Sequence, residues 1–184
     1  MTRLPSPRAL ARPLFGALLL ATLAACGEPG QAGAPPAPHA LDTDAVGHYC
    51  GMALNEHNGP KGQLFLAGQQ QPVWFSAIKQ VFAYTLLPEE PKTITAIYVN
   101  DMAGAEAGLP PNPHAWIDAR RAYYVIESRY IGGMGAEDAL PFAQRAQANA
   151  FAQRHGGLVA AFDDVPESYV FSQASAPPPT GPAS

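Results

Sequence analysis

The chain has 184 residues, with eleven basic against fifteen acidic side chains and two cysteines. A net charge of −4 argues against the basic surface that a polyanion requires, so nucleic acid is not an expected partner. Eight Phe, seven Tyr and two Trp can build a core, and the length suits one domain or two very small ones.

The opening stretch, MTRLPSPRALARPLFGALLLATLAAC, carries Arg3, Arg8 and Arg12, then an uncharged apolar run from Leu14 to Leu23, and no acid. That is the composition of a secretory leader, expected over residues 1–25, and the run is too short for a stable membrane span. Leu23-Ala24-Ala25-Cys26 places small residues before a cysteine and resembles a bacterial lipobox, which makes Cys26 the expected lipid attachment site. The alternative is an ordinary leader followed by a chance cysteine. Each buried methylene of a lipid adds about 0.8 kcal/mol, and two or more chains anchor stably. Residues 26–41, rich in Pro, Gly and Ala, read as a tether. Residues 173–184, QASAPPPTGPAS, read as a disordered tail, which leaves 42–172 to fold. Without the three leader arginines, eight bases face fifteen acids, and the surface turns more acidic still.

Lys61–Ala67 and Pro72–Phe75 have the content of strands. Ile78, Val81, Phe82 and Leu86 then fall at helical spacing, with Ser76 placed to cap the start and Pro88 just beyond the end. Thr93–Asn100 reads as a largely buried strand. A second passage predicts strands at His114–Asp118 and Ala122–Ser128 joined at Ala119–Arg121. A Gly-rich loop follows, then a helix over Pro141–His155 that stops at Gly156-Gly157, and a closing strand at Leu158–Phe162. PVWFSAIKQVFAY with TAIYVND, set beside ALPFAQRAQANAF with VAAFDDV, suggests one unit used twice. The expected fold is α+β, two ββαβ halves over about 42–104 and 112–170.

If Cys26 carries lipid on its sulfur, no intramolecular disulfide is possible and Cys50 is an odd thiol. Such a thiol outside the cytoplasm is buried and inert, linked to another molecule, or bound to something soft. Three methionines follow the leader: Met52, Met102 and Met134. Each has a plain reading as a core gap-filler, which the glycines flanking Met134 weaken. Cys50 and Met52 form a stronger pair. Thiolate and thioether select Cu(I) over harder ions, and in an extended segment residues i and i+2 point to the same side. One cysteine cannot supply a structural zinc site. His48 would share that face and stands as a reserve ligand. His39 falls in the tether, His57 in a polar stretch and His114 at an element end, while His155 fits a helix C-terminus. Glu137 and Asp138 are placed to serve the N-terminus of the next helix. Trp74, Phe75, Trp116, Tyr123 and Tyr124 are expected in the core.

CGM followed by a Gly-Pro-Lys-Gly stretch, the VWF-S-helix passage, TAIYVNDMA, and AYYVIESRYIGGMGAEDALPF ahead of a helix closing with HGG together resemble the nitrous oxide reductase accessory lipoprotein family, NosL. The likeness covers about Val46–Val165. It implies a membrane-anchored, periplasm-facing Cu(I) chaperone rather than an enzyme. Its expected role is to deliver copper for the multicopper centre of nitrous oxide reductase, working with an ABC-type membrane complex. The family's cysteine and methionine fall on Cys50 and Met52, and the methionine of its Gly-Met-Gly segment falls on Met134. Two other classes stay open: a thiol enzyme with Cys50 as nucleophile, which needs a base within reach, and a lipoprotein adaptor that binds no metal.

Overall fold

A computed structural model describes residues 34–105, 112 and 114–172. The leader, residues 26–33 of the tether with Cys26, and the 173–184 tail lie outside the described residues.

The first half runs β1 (Gly62–Leu66), β2 (Val73–Phe75), α1 (Ile78–Leu86) and β3 (Ile94–Asn100). All five residues of β1 are buried, as befits the strand that lies between β2 and β3 and pairs antiparallel with both. Its one polar side chain, Gln63, satisfies both ends of its amide on the chain that precedes the domain: His39 N–H donates to Oε1 at 2.8 Å and Nε2 donates to the His39 carbonyl at 3.0 Å. Tyr98 on β3 likewise donates its hydroxyl to the Pro36 carbonyl at 2.7 Å. Helix α1 buries Ile78, Val81, Phe82 and Tyr84 against the sheet. Lys92 closes its other end by donating to the carbonyls of Tyr84, Thr85 and Leu87.

Strand β4 (Trp116–Asp118) joins the first sheet by pairing with β3, which completes the order β2-β1-β3-β4. The strand expected at His114–Asp118 as the first of the second half is therefore part of the first half's sheet. Between them a 3-10 turn, Ala119–Arg121, reverses the chain, held by the Asp118 carboxylate accepting from Arg120 N–H at 2.9 Å. The second half then runs β5 (Tyr123–Ile126), β6 (Leu140–Phe142), α2 (Arg145–His155) and β7 (Leu158–Ala161), followed by a short α3 (Glu167–Val170).

Helix α2 starts at Arg145, four residues later than expected, because Leu140-Pro141-Phe142 pairs with β5 as a strand. Proline is tolerated there because β6 lies on the sheet edge, where its missing N–H breaks no ladder, while its carbonyl accepts from Met102 N–H at 2.8 Å. The sheet order β6-β5-β7 repeats β2-β1-β3 with each strand in the matching role, so the ββαβ unit occurs twice.

The halves share one core. Phe82 of α1 packs its ring 4.9 Å from both Tyr124 of β5 and Phe162, edge-on to the first and tilted to the second. The Tyr124 hydroxyl, fully buried, donates to the Ala119 carbonyl at 2.7 Å. A second cluster beneath α2 gathers Met102, Val125, Leu140, Phe142 and Phe151. Trp74 and Trp116 are only half-buried and face each other across the first sheet, 5.9 Å apart. Among the described residues, no helix is long and apolar enough to cross a membrane.

Candidate metal site

Cys50 sits in a turn, not in the extended segment expected. Val46 and Ala53 form an antiparallel bridge. Inside it Gly47 N–H donates to the Met52 carbonyl at 3.0 Å and Gly51 N–H to the Gly47 carbonyl at 2.8 Å. Gly51 takes φ +65°, which glycine adopts without strain. Cys50 and Met52 therefore share one small closed loop instead of alternating along a strand. His48 N–H ties that loop to β2 through the Trp74 carbonyl at 2.7 Å.

The two sulfurs differ in setting. Cys50 is half-buried, with Sγ 3.5 Å from Oγ of Ser76, and it has no disulfide partner among the described residues. A Cβ on Gly47 would lie 2.5 Å from that sulfur, so only glycine there leaves the thiol its position. The Met52 thioether is 40% exposed.

His48 lies in this loop with a side-chain partner already in place. Its Nε2 is 3.2 Å from Oε1 of Glu90, which also accepts the Tyr49 hydroxyl at 2.7 Å. Burial and the Glu90 carboxylate push the Tyr49 phenol above its ordinary range. The His48 ring packs edge-on against Tyr49, Phe75 and Tyr84. With Nε2 facing Glu90, Nδ1 is the nitrogen left over for any ion.

Met134 occupies the tip of the loop between β5 and β6, where it is 37% exposed. The Ile131–Glu137 bridge and the Gly132 N–H to Ala136 carbonyl bond at 2.8 Å close that loop. Gly133 packs so closely on the first half that a Cβ would fall 1.8 Å from the Asn58 carbonyl oxygen. The His57 ring meets the Gly133 carbonyl at 3.3 Å; because a carbonyl only accepts, Nδ1 carries the proton. Beneath this contact Lys61, 4% exposed, donates through Nζ to the carbonyls of His57, Asn58 and Gly59. Burial lowers its ammonium to about 8, against the attraction of Asp138.

Asp138 ends the same loop and is 3% exposed. It does not serve α2, the next helix, as expected; it caps α1 of the other half. Ile78 N–H donates to Oδ2 at 3.0 Å, and Lys79 N–H and Ala139 N–H each donate to Oδ1 at 2.9 Å. Burial raises the carboxyl to about 6, and the three N–H donors only partly oppose it. Ser76, expected as the cap, instead donates to Oε1 of Gln80 at 3.2 Å while its oxygen faces Cys50. The Met134 loop is thus fastened to the N-terminal end of α1 through Asp138, while the Cys50 loop, tied to β2, sets its sulfur 3.5 Å from Ser76, two residues before that helix.

Met102, by contrast, is 1% exposed in the core beneath α2 and matches the plain reading of a methionine. Among the described residues no group of three or more His, Cys, Asp and Glu side chains is placed to hold an ion.

A chain with a half-buried thiol and two exposed methionines on loops of a doubled ββαβ frame matches one known family over most of its length. The NosL family model covers residues 38–170. The chain belongs to the NosL family. It is 41% identical over 157 residues to the copper-binding lipoprotein NosL of Achromobacter cycloclastes, covering 85% of this chain and 80% of that protein. It is 33% identical over 163 residues to the copper-binding lipoprotein NosL of Stutzerimonas stutzeri, covering 88% and 83%. The fold is similar to the crystal structure of the copper chaperone NosL from Shewanella denitrificans, with a TM-score of 0.66 and 32% identity over 73% of this chain and 99% of that one. Within this NosL frame, Ser76, Glu90, Lys61 and Asp138 join the candidate residues only through the fold. The sequence marked Asp138 as a helix-serving acid but held no sign of which helix it would serve.

Proposed function

We propose that this chain carries Cu(I) at a site formed by Cys50, Met52 and Met134, and that lipid on Cys26 anchors it to a membrane, facing the periplasm. The observation that carries this is the setting of the sulfurs. Two methionines, which hydrophobic burial would normally claim, stand exposed. Met52 lies in the same closed loop as the half-buried Cys50 thiol, and Met134 on a loop joined through Asp138 to the N-terminus of α1, the helix that follows Ser76 at the Cys50 sulfur. Thiolate and thioether together favour Cu(I) over harder ions. The relatives named as copper-binding lipoproteins and as a copper chaperone support the same cargo and the anchor.

The arrangement suits transfer better than storage. Binding costs Cys50 its thiol proton, and Met52 and Met134 supply weaker neutral donors. A ligand from an acceptor can displace a thioether before the thiolate lets go, so the ion moves by stepwise exchange without entering solvent. The proposed destination is the multicopper centre of nitrous oxide reductase, with an ABC-type membrane complex as the working partner. His48, held by Glu90, is the reserve nitrogen donor.

Alkylation of the reduced full chain, read by peptide mass spectrometry at Cys50, tests this. One equivalent of Cu(I) protects Cys50 if it is a ligand. Equal labelling with and without Cu(I) would instead favour a lipoprotein adaptor, and labelling that abolishes a turnover regardless of copper would favour a thiol enzyme.

A further inference from the structure

The sulfur donors come from two halves of the chain, and something must hold the halves in register for one ion to reach both. Helix α1 could have been capped by Ser76, a residue type suited to the task that stands next to its N-cap Ala77. It is capped from sixty residues away by a carboxylate that is costly to bury. What Asp138 provides and Ser76 cannot is a covalent link to the Met134 loop, four residues back along the chain. That loop folds onto it: a Cβ on Gly132 would lie 3.1 Å from the Asp138 Cβ. The same substitution of caps leaves the Ser76 oxygen facing the Cys50 sulfur.

We infer that Asp138 is the positioning residue that makes the thiol of the first half and the thioether of the second into one copper site, by clasping the Met134 loop to the α1 N-terminus. It touches no metal. Its effect runs through Met134, and this role rests on the copper reading above.

The test is a cycle of four full-length chains: wild type, Asp138→Asn, Met134→Leu and the double variant, with Cu(I) affinity measured against a chromophoric chelator. Asparagine keeps the size of the side chain but cannot accept at both of its terminal atoms. Asp138→Asn is expected to weaken Cu(I) binding about tenfold to a hundredfold in the wild-type background, the scale on which partners that orient metal ligands act. In the Met134→Leu background it should add almost nothing. Equal losses in both backgrounds, or no loss in either, would overturn the positioning role. Failure of the copper reading itself looks different, as Cys50→Ser with undiminished affinity.

Should Asp138→Asn fail to fold, amide exchange on the unmutated sequence decides the matter. Cu(I) loading should slow exchange at Ile78 and Lys79 in wild type and leave it unchanged in Met134→Leu. Unchanged exchange in wild type, or the same slowing in both chains, would overturn the inference.

Discussion

Asp138 offers a prediction whose size and sign both come from its surroundings. Its carboxyl stands near 6 in the folded protein against an ordinary 3.8, because burial outweighs three N–H donors. A group with a raised folded value binds its proton more tightly when native. The stability it contributes is therefore fully present below about 3.8 and is lost as pH rises through about 6. Converted at 1.36 kcal/mol per unit, the window corresponds to about 3 kcal/mol. Asp138→Asn cannot titrate. Urea unfolding of both chains, followed by Trp74 and Trp116 fluorescence in half-unit steps from pH 3.5 to 7.5, isolates this group from the other carboxylates. Wild-type stability minus that of the variant should fall by about 3 kcal/mol across the window. A flat difference would show that burial does not govern this carboxyl. A rising one would show that its hydrogen bonds outweigh the burial.

Gly47→Ala places a methyl 2.5 Å from the Cys50 sulfur. The thiol must turn away, so a chelator competition should show weakened Cu(I) binding with little change in the urea midpoint. Gly133→Ala sets a methyl 1.8 Å from the Asn58 carbonyl, a backbone atom that cannot swing aside. Denaturation should register a loss of about 1–3 kcal/mol, and copper affinity should fall with it as the Met134 loop lifts. Met102→Leu exchanges one core side chain for another of similar volume. Stability should change by less than about 1.5 kcal/mol and Cu(I) affinity not at all, and a drop in affinity would make Met102 a ligand.

Strands and helices showed through wherever one face of an element decides its pattern. Gly62–Leu66 lies within the expected Lys61–Ala67, and Ile78–Leu86 follows the spacing of Ile78, Val81, Phe82 and Leu86. The repeat was visible too, but not its frame. Nothing local says that Trp116–Asp118 pairs backward with β3 rather than forward with β5, since either neighbour satisfies its hydrogen bonds. Pro141 looked like the first turn of a helix because proline suits that position as well as it suits a sheet edge.

At the site, Cys50, Met52 and Met134 were marked by their chemistry. Their presentation was not, because the Gly47–Gly51 turn depends on a bridge between Val46 and Ala53 and on the Trp74 carbonyl. Asp138 and Ser76 act across contacts between segments distant in sequence, and Lys61 braces the 57–59 turn that meets Gly133 of the other half. Spacing carries no trace of such contacts.

Cu(I) competition between the reduced full chain and a chromophoric chelator, run on wild type and on Cys50→Ser, tests copper carriage most directly. Wild type should take one Cu(I) from the chelator and the serine variant should lose most of that affinity. Equal retention of the ion by both chains, or capture by neither, would contradict a copper site built on Cys50.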